Sequence, residues 1–72
     1  MGYRFTVTDA YAPKRKMVGV WPNDPGYWID PYDVLTKNVD GTWTKHTGLC
    51  ITNLVIPDED MEFIGTRHLE LV

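Results

Sequence analysis

Cysteine, histidine and carboxylate are the side chains from which small proteins build nucleophiles and metal sites. This chain carries one cysteine, two histidines and ten acids in 72 residues. His46 and Cys50 have three residues between them, a spacing found within zinc sites, but a structural site needs four ligands and His68 is the only other soft one. Hydrogen-bonded or solvent-facing histidines are therefore expected, and no metal. A nucleophile needs a base within hydrogen-bond reach and a third group to orient that base. No spacing brings Cys50, His46 and His68 together in that way. Cys50 stands between Leu49 and Ile51, which predicts a buried, inert thiol. Asp24, Asp30 and Asp33 offer carboxylates for acid–base work, yet aspartate among Pro and Gly residues is turn-capping chemistry. The six glycines are scattered singly, so nothing cradles a phosphate. Neither an enzyme nor a cofactor is expected.

Binding chemistry is better represented. The stretch VWPNDPGYWIDPYD, Val20 to Asp33, holds two tryptophans, two tyrosines, three prolines and three aspartates. Trp and Tyr dominate interface hot spots, and prolines reduce the entropy lost when a partner orders a loop. Trp21, Tyr27, Trp28 and Tyr32 are the candidates for a protein-binding surface. A chain with so few large apolar rings also needs some of them inside. Trp21 and one tyrosine are expected to plug the core, with Trp28, Tyr27 or Tyr32 left partly exposed. Asp58, Glu59 and Asp60 form a second candidate surface, an acidic turn that charge would steer toward a basic partner.

The alternative is a nucleic-acid surface. Lys14, Arg15 and Lys16 supply three of the seven bases in one tripeptide, near Tyr11, Trp21 and Trp28, and single strands bind basic grooves with aromatic platforms. The net charge of −3 opposes it. Self-association is a third possibility, through a C-terminal edge strand ending in Leu71-Val72.

These groups must be positioned by strands. Tyr3, Phe5 and Val7 alternate with Arg4, Thr6 and Thr8, a half-buried strand. Ala12 to Lys16 reads as a turn and Met17 to Trp21 as a second strand, in which Gly19 predicts a bulge or a close backbone approach. Pro22, Pro25 and Pro31 bar a central strand, and Asn23-Asp24-Pro25-Gly26 predicts a turn. Pro31 to Lys37 has two readings, a short helix capped by Asp30 or the first arm of a hairpin from Val34. The hairpin is preferred, because Asn38-Val39-Asp40-Gly41-Thr42 is a hairpin turn with Gly41 left-handed, returning through Thr42 to His46. Thr47-Gly48 turns into Leu49–Ile56, apolar on both parities and kinked near Thr52-Asn53. Pro57 ends it. Asp58–Asp60 is a solvated turn, Met61 to Ile64 a strand, Gly65 to His68 a connector, and Leu69 to Val72 a last strand.

The expected fold is mainly β: one domain of five or six short antiparallel strands with at most one short helix or 3-10 turn. A chain this small buries only about 60% of its unfolded surface, so association would help it. A long loop after the second strand, a tight Asp-Gly hairpin, a single-turn connector and a terminal strand resemble the plan of an SH3-like barrel. No apolar run approaches a membrane span of about 18 residues, and the lone cysteine suits a reducing compartment. The chain reads as soluble, cytoplasmic and non-enzymatic, a protein-interaction module of the kind that phage and mobile elements use to bind and inhibit a host protein.

Overall fold

The computed structural model describes residues 3–21, 24–47 and 50–71. The turns expected at Asn23-Asp24-Pro25-Gly26 and Thr47-Gly48 fall partly outside them, and Pro22, Leu49 and Val72 wholly. Seven strands and one 3-10 turn follow in order: β1 (Tyr3–Pro13), β2 (Met17–Trp21), β3 (Asp24–Ile29), β4 (Val34–Lys37), β5 (Trp43–His46), β6 (Ile51–Leu54), the turn Asp58–Asp60, and β7 (Met61–Leu71). The fold is mainly β, with a five-stranded antiparallel sheet ordered β6-β5-β4-β1-β7 and a two-stranded sheet β2-β3. Val20 and Val55 join the two by exchanging backbone hydrogen bonds of 3.0 and 2.7 Å. Among the described residues no pairing connects β3 to β7, so hydrogen bonding does not close the strand order on itself. No described helix is long and apolar enough to cross a membrane.

Where the sequence calls for a hairpin from Val34, one forms, and the helical alternative over 31–37 is absent. Gly41 takes a φ of +89°, where an L side chain is strained. The Asn38 amide N–H donates to the Thr42 carbonyl (2.7 Å) and the Gly41 N–H to that of Asn38 (3.0 Å). Asp40 adds a cap, accepting from the Thr42 N–H and hydroxyl at 2.9 and 2.6 Å. Those two donors, the hydroxyl foremost, hold the Asp40 carboxyl below its ordinary value. The kink expected near Thr52-Asn53 is Asn53 at φ 63°, a conformation asparagine tolerates better than most residues. It turns the chain so that Val55 reaches β2.

Among the described residues seven strands form where five or six are expected, Ala12 and Pro13 belong to β1 rather than to the turn because they pair with Glu62 and Met61, and three further expectations are corrected. The stretch read as a loop contains β3, an ordered strand through Pro25 and Gly26. Proline is excluded from central strands, but among the described residues β3 pairs on one side only, with β2, and the register shifts between Gly19 and Trp21. Gly65 to His68 is no connector, since β7 runs unbroken through it. Gly65 at φ 79° absorbs a bulge there, and a matching one at Asp9 (φ 52°) lets β1 continue to Pro13. The two bulges cancel, and the rungs Tyr3↔Leu71 to Val7↔Arg67 and Tyr11↔Phe63 to Pro13↔Met61 share one register. Cys50 is exposed rather than buried, because it lies ahead of β6 and outside the sheet.

The main core lies on one face of the sheet and joins Ile29, Leu35, Trp43, Leu54, Ile56 and Met61, with Tyr11, Met17, Trp21, Tyr27 and Ile51 packed at its margin. Trp43 is its centre. Its Nε1 donates to the Ile56 carbonyl (3.2 Å) and its ring meets Tyr11 edge-on at 5.1 Å. A smaller cluster on the opposite face joins Val7, Ala10 and Val34 with Phe5, Ile64 and Leu69. The extra residue at Asp9 is what puts Val7 and Ala10 on one face.

Candidate protein interface

Strand alternation divides the side chains of β2 and β3 into two sets. Met17, Gly19 and Trp21 on β2, with Tyr27 and Ile29 on β3, turn toward the core, while Val18, Val20 and Trp28 turn outward. Gly19 allows the approach, since a Cβ there would meet Ile56 at 3.3 Å and Leu54 at 3.5 Å. Of the two alternatives at Gly19, the close approach is the one that forms, while the register shift beyond it carries its extra residue on β3.

The inward rings are fixed in place. Trp21 Nε1 donates to the Thr52 carbonyl (2.7 Å), and the ring packs edge-on against Tyr27 with centroids 6.2 Å apart. Lys45 Nζ sits 4.7 Å from the Tyr27 centroid and 3.3 Å from Asp33 Oδ1. With side chains only 14% and 19% exposed, that ion pair is screened far less than a surface one. Trp21 and Tyr27 are the rings of β2 and β3 that pack at the margin of the core.

The outward set forms a surface. Val18 pairs with Trp28 across the hairpin, Val20 stands two residues along on the same face, and Val55 lies opposite Val20. Residues in register are neighbours at roughly 5 Å, so Trp28, Val18, Val20 and Val55 make one apolar stripe. Trp28 is 62% exposed, Val20 55% and Val55 54%. Gly26 is what keeps Val18 in place: a Cβ there would lie 2.3 Å from a Val18 methyl, and its φ of +125° already disfavours any other residue. Lys16 Nζ stands 5.3 Å from the Trp28 centroid, a cation over the ring at the end of the stripe.

Tyr32 is presented separately on the turn 30–33. The Asp33 N–H donates to the Asp30 carbonyl (3.0 Å), the Asp30 N–H to Asp33 Oδ2 (2.8 Å) and the Tyr32 N–H to Asp30 Oδ1 (2.9 Å). These aspartates cap a turn, as their setting predicts, and they leave Tyr32 94% exposed on a hydrogen-bonded turn.

The basic tripeptide and the acidic turn meet each other. Arg15 is bonded to Asp60 Oδ1 at 2.8 Å, the Lys14 N–H donates to the Asp60 carbonyl at 2.9 Å, and Lys37 pairs with Asp58. Two of the three acids are thereby neutralised within the chain, and Glu59 projects from the turn. Arg15 and Asp60 lie 45 positions apart in sequence, and no local pattern announces their pairing. Of the nucleic-acid candidates, Lys16 remains beside an exposed ring, while Arg15 is engaged and Trp21 is turned inward.

The histidines are apart. His46 on β5 and His68 on β7 are separated by β4 and β1. Three ordinary strand spacings put roughly 14 Å between their strands. His46 Nε2 contacts the Thr36 hydroxyl (2.8 Å) and His68 Nδ1 that of Thr6 (3.1 Å). Partial burial lowers the pKa of His46. No group of three or more His, Cys, Asp and Glu clusters as a metal site would among the described residues. A shallow depression of about 320 Å³ lies away from the stripe, along the end of the β1–β7 ribbon, lined by Arg4, Phe5, Thr6, His68, Leu69 and Glu70. No family model, curated protein or solved structure matches the chain.

Proposed function

We propose that this chain is a protein–protein interaction module on an SH3-like plan, and that it engages its partner through the outward stripe Trp28, Val18, Val20 and Val55, with Tyr32 as a further anchor. The plan is supported by a terminal strand that follows a single 3-10 turn and pairs with the first strand. The carrying observation is the continuity of the stripe. Scattered apolar residues are normal on a surface, whereas contiguous ones led by an exposed tryptophan mark contact sites. The ring stands on a strand, tied by register to its neighbours, so little freedom is lost on binding. Asp58 and Asp60 serve the fold in this reading, while Glu59 stays exposed on the turn.

The test is a tagged pull-down from bacterial lysate, with and without nuclease, comparing the native chain with Trp28→Ala and Tyr32→Ala. A stoichiometric protein that survives nuclease is expected. Trp28→Ala should release it, a loss of about 2 kcal/mol or more for a central tryptophan, with far-UV dichroism and melting temperature unchanged. Retention of the protein by Trp28→Ala sinks the reading. Binding that nuclease removes would favour nucleic acid instead, with Lys16 beside Trp28 as its starting point.

A further inference from the structure

The outer end of the β1–β7 ribbon stands apart from the rest of the sheet. β4 pairs with β1 at Tyr11↔Leu35 alone, so over the rungs Tyr3↔Leu71 to Val7↔Arg67 the two strands pair only with each other among the described residues. Two-stranded ribbons are marginal in water, and an edge strand displays unpaired N–H and C=O groups to any strand that fits. Among the described residues β7 is the edge strand of the five-stranded sheet. Its middle is blocked: Arg67 folds back and donates to the carbonyls of Ile64 (2.9 Å) and Thr66 (3.0 Å). Beyond Arg67 the edge stands open among the described residues.

The side chains of that open end suit their own reflection. Phe5 and Leu69 face each other on the ribbon's apolar face, half-buried beside Val7. On the other face Thr6 bonds His68, and Arg4 pairs loosely with Glu70 at 3.7 Å. A two-fold axis through Leu69, relating two antiparallel β7 edges, sets Leu69 against Leu69 of the second copy. It also sets His68 against Glu70 of the second copy, and does so twice. His68 holds Thr6 through Nδ1, which leaves Nε2 to face the carboxylate. The outer edge of β1 has no such match, because an axis through Phe5 places Arg4 opposite Thr6.

We propose that β7 is a self-association site: two copies pair their β7 edges antiparallel about Leu69, joining two ribbons into one four-stranded sheet. This surface is distinct from the Trp28 stripe, and the two can be tested apart.

Sedimentation equilibrium across micromolar to millimolar concentrations should show a monomer–dimer equilibrium, and a strict monomer at millimolar concentration overturns the proposal. Glu70→Lys should weaken the dimer about tenfold, because each interface carries the altered pair twice. The double exchange His68→Glu with Glu70→Lys should restore it, with dichroism verifying the fold of both variants. Failure to restore overturns the register. In a Cys50→Ser background, Leu69→Cys should oxidise to a covalent dimer while Thr6→Cys, one strand in from the edge, should not. Equal cross-linking of the two overturns the site. Trp28→Ala should leave dimerisation unchanged, and loss of the dimer there would move the interface to the stripe and overturn this proposal.

Discussion

The hairpins β2–β3 and β4–β5 use the same architecture and finish their outer faces in opposite ways. On β4–β5, and on β6 beside them, the face turned from the main core carries Thr36, Asn38, Thr42, Thr44, His46 and Thr52. The Asn38 side-chain Nδ2 donates to the Thr42 and Thr52 hydroxyls at 3.0 and 3.4 Å. The Thr44 hydroxyl donates to Asn38 Oδ1 at 2.9 Å and also meets the Thr52 hydroxyl at 2.9 Å. Each group there satisfies another, and the surface asks nothing of a partner. Among the described residues the outer face of β2–β3 has no such ladder; it holds Val18, Val20 and Trp28 against water. Two hairpins of one small domain thus differ in whether their exposed faces are self-sufficient, and that difference, more than hydrophobicity itself, singles out a contact surface.

The contrast can be broken from either side. Gly26→Ala should have the largest effect: a β-carbon driven against Val18 at a positive φ should cost about 2 kcal/mol or more in urea denaturation. A neutral result would show that Gly26 does not hold the stripe's shape. Next is Asn38→Ala, which leaves the hydroxyls of Thr42, Thr44 and Thr52 to rebond among themselves. A loss of about 1–2 kcal/mol is expected, with no change in partner binding. If binding falls as far as with Trp28→Ala, the two faces are not functionally distinct.

The smallest effect is a slope. His46 has its folded pKa lowered by burial, so the unfolded chain takes up its proton first. Stability should therefore be full above the unfolded value of about 6.5 and fall as the pH drops below it. The Asp40 carboxyl, also lowered, removes a further contribution as the pH falls below its ordinary range. His46→Gln should flatten the part of the curve just below that histidine value. An unchanged slope would place the titration elsewhere.

Local chemistry was legible wherever one short segment decided the outcome. Asp40-Gly41 specified its hairpin, Gly19 its close approach, and the need for large rings inside placed Trp21 and one tyrosine against the core, without saying that the tyrosine is Tyr27. What was hidden depended on neighbours far along the chain. Pro25 and Gly26 signal a loop unless it is known that β3 has a partner on one side only. Gly65 signals a break unless Asp9, across the ribbon, supplies the compensating residue. Lys14 to Lys16 and Asp58 to Asp60 looked like two surfaces because their pairing is entirely tertiary. The exposure of Cys50 follows from where β6 begins, one residue after it. For the candidate surface, composition identified the segment that carries Trp28, but only the register with β2 and the bridge to Val55 made it a stripe.

The paired bulges at Asp9 and Gly65 also constrain how this chain can change length. Removing Asp9 alone would turn Phe5 and Val7 to the wrong side of the ribbon, since a slip of one residue reverses every side chain beyond it. Removing Ile64 alone would do the same to Arg67 and Leu69. Removing both restores the alignment. In any lineage of such chains, insertions and deletions in the first and last strands should therefore arrive together, two distant positions inherited as one.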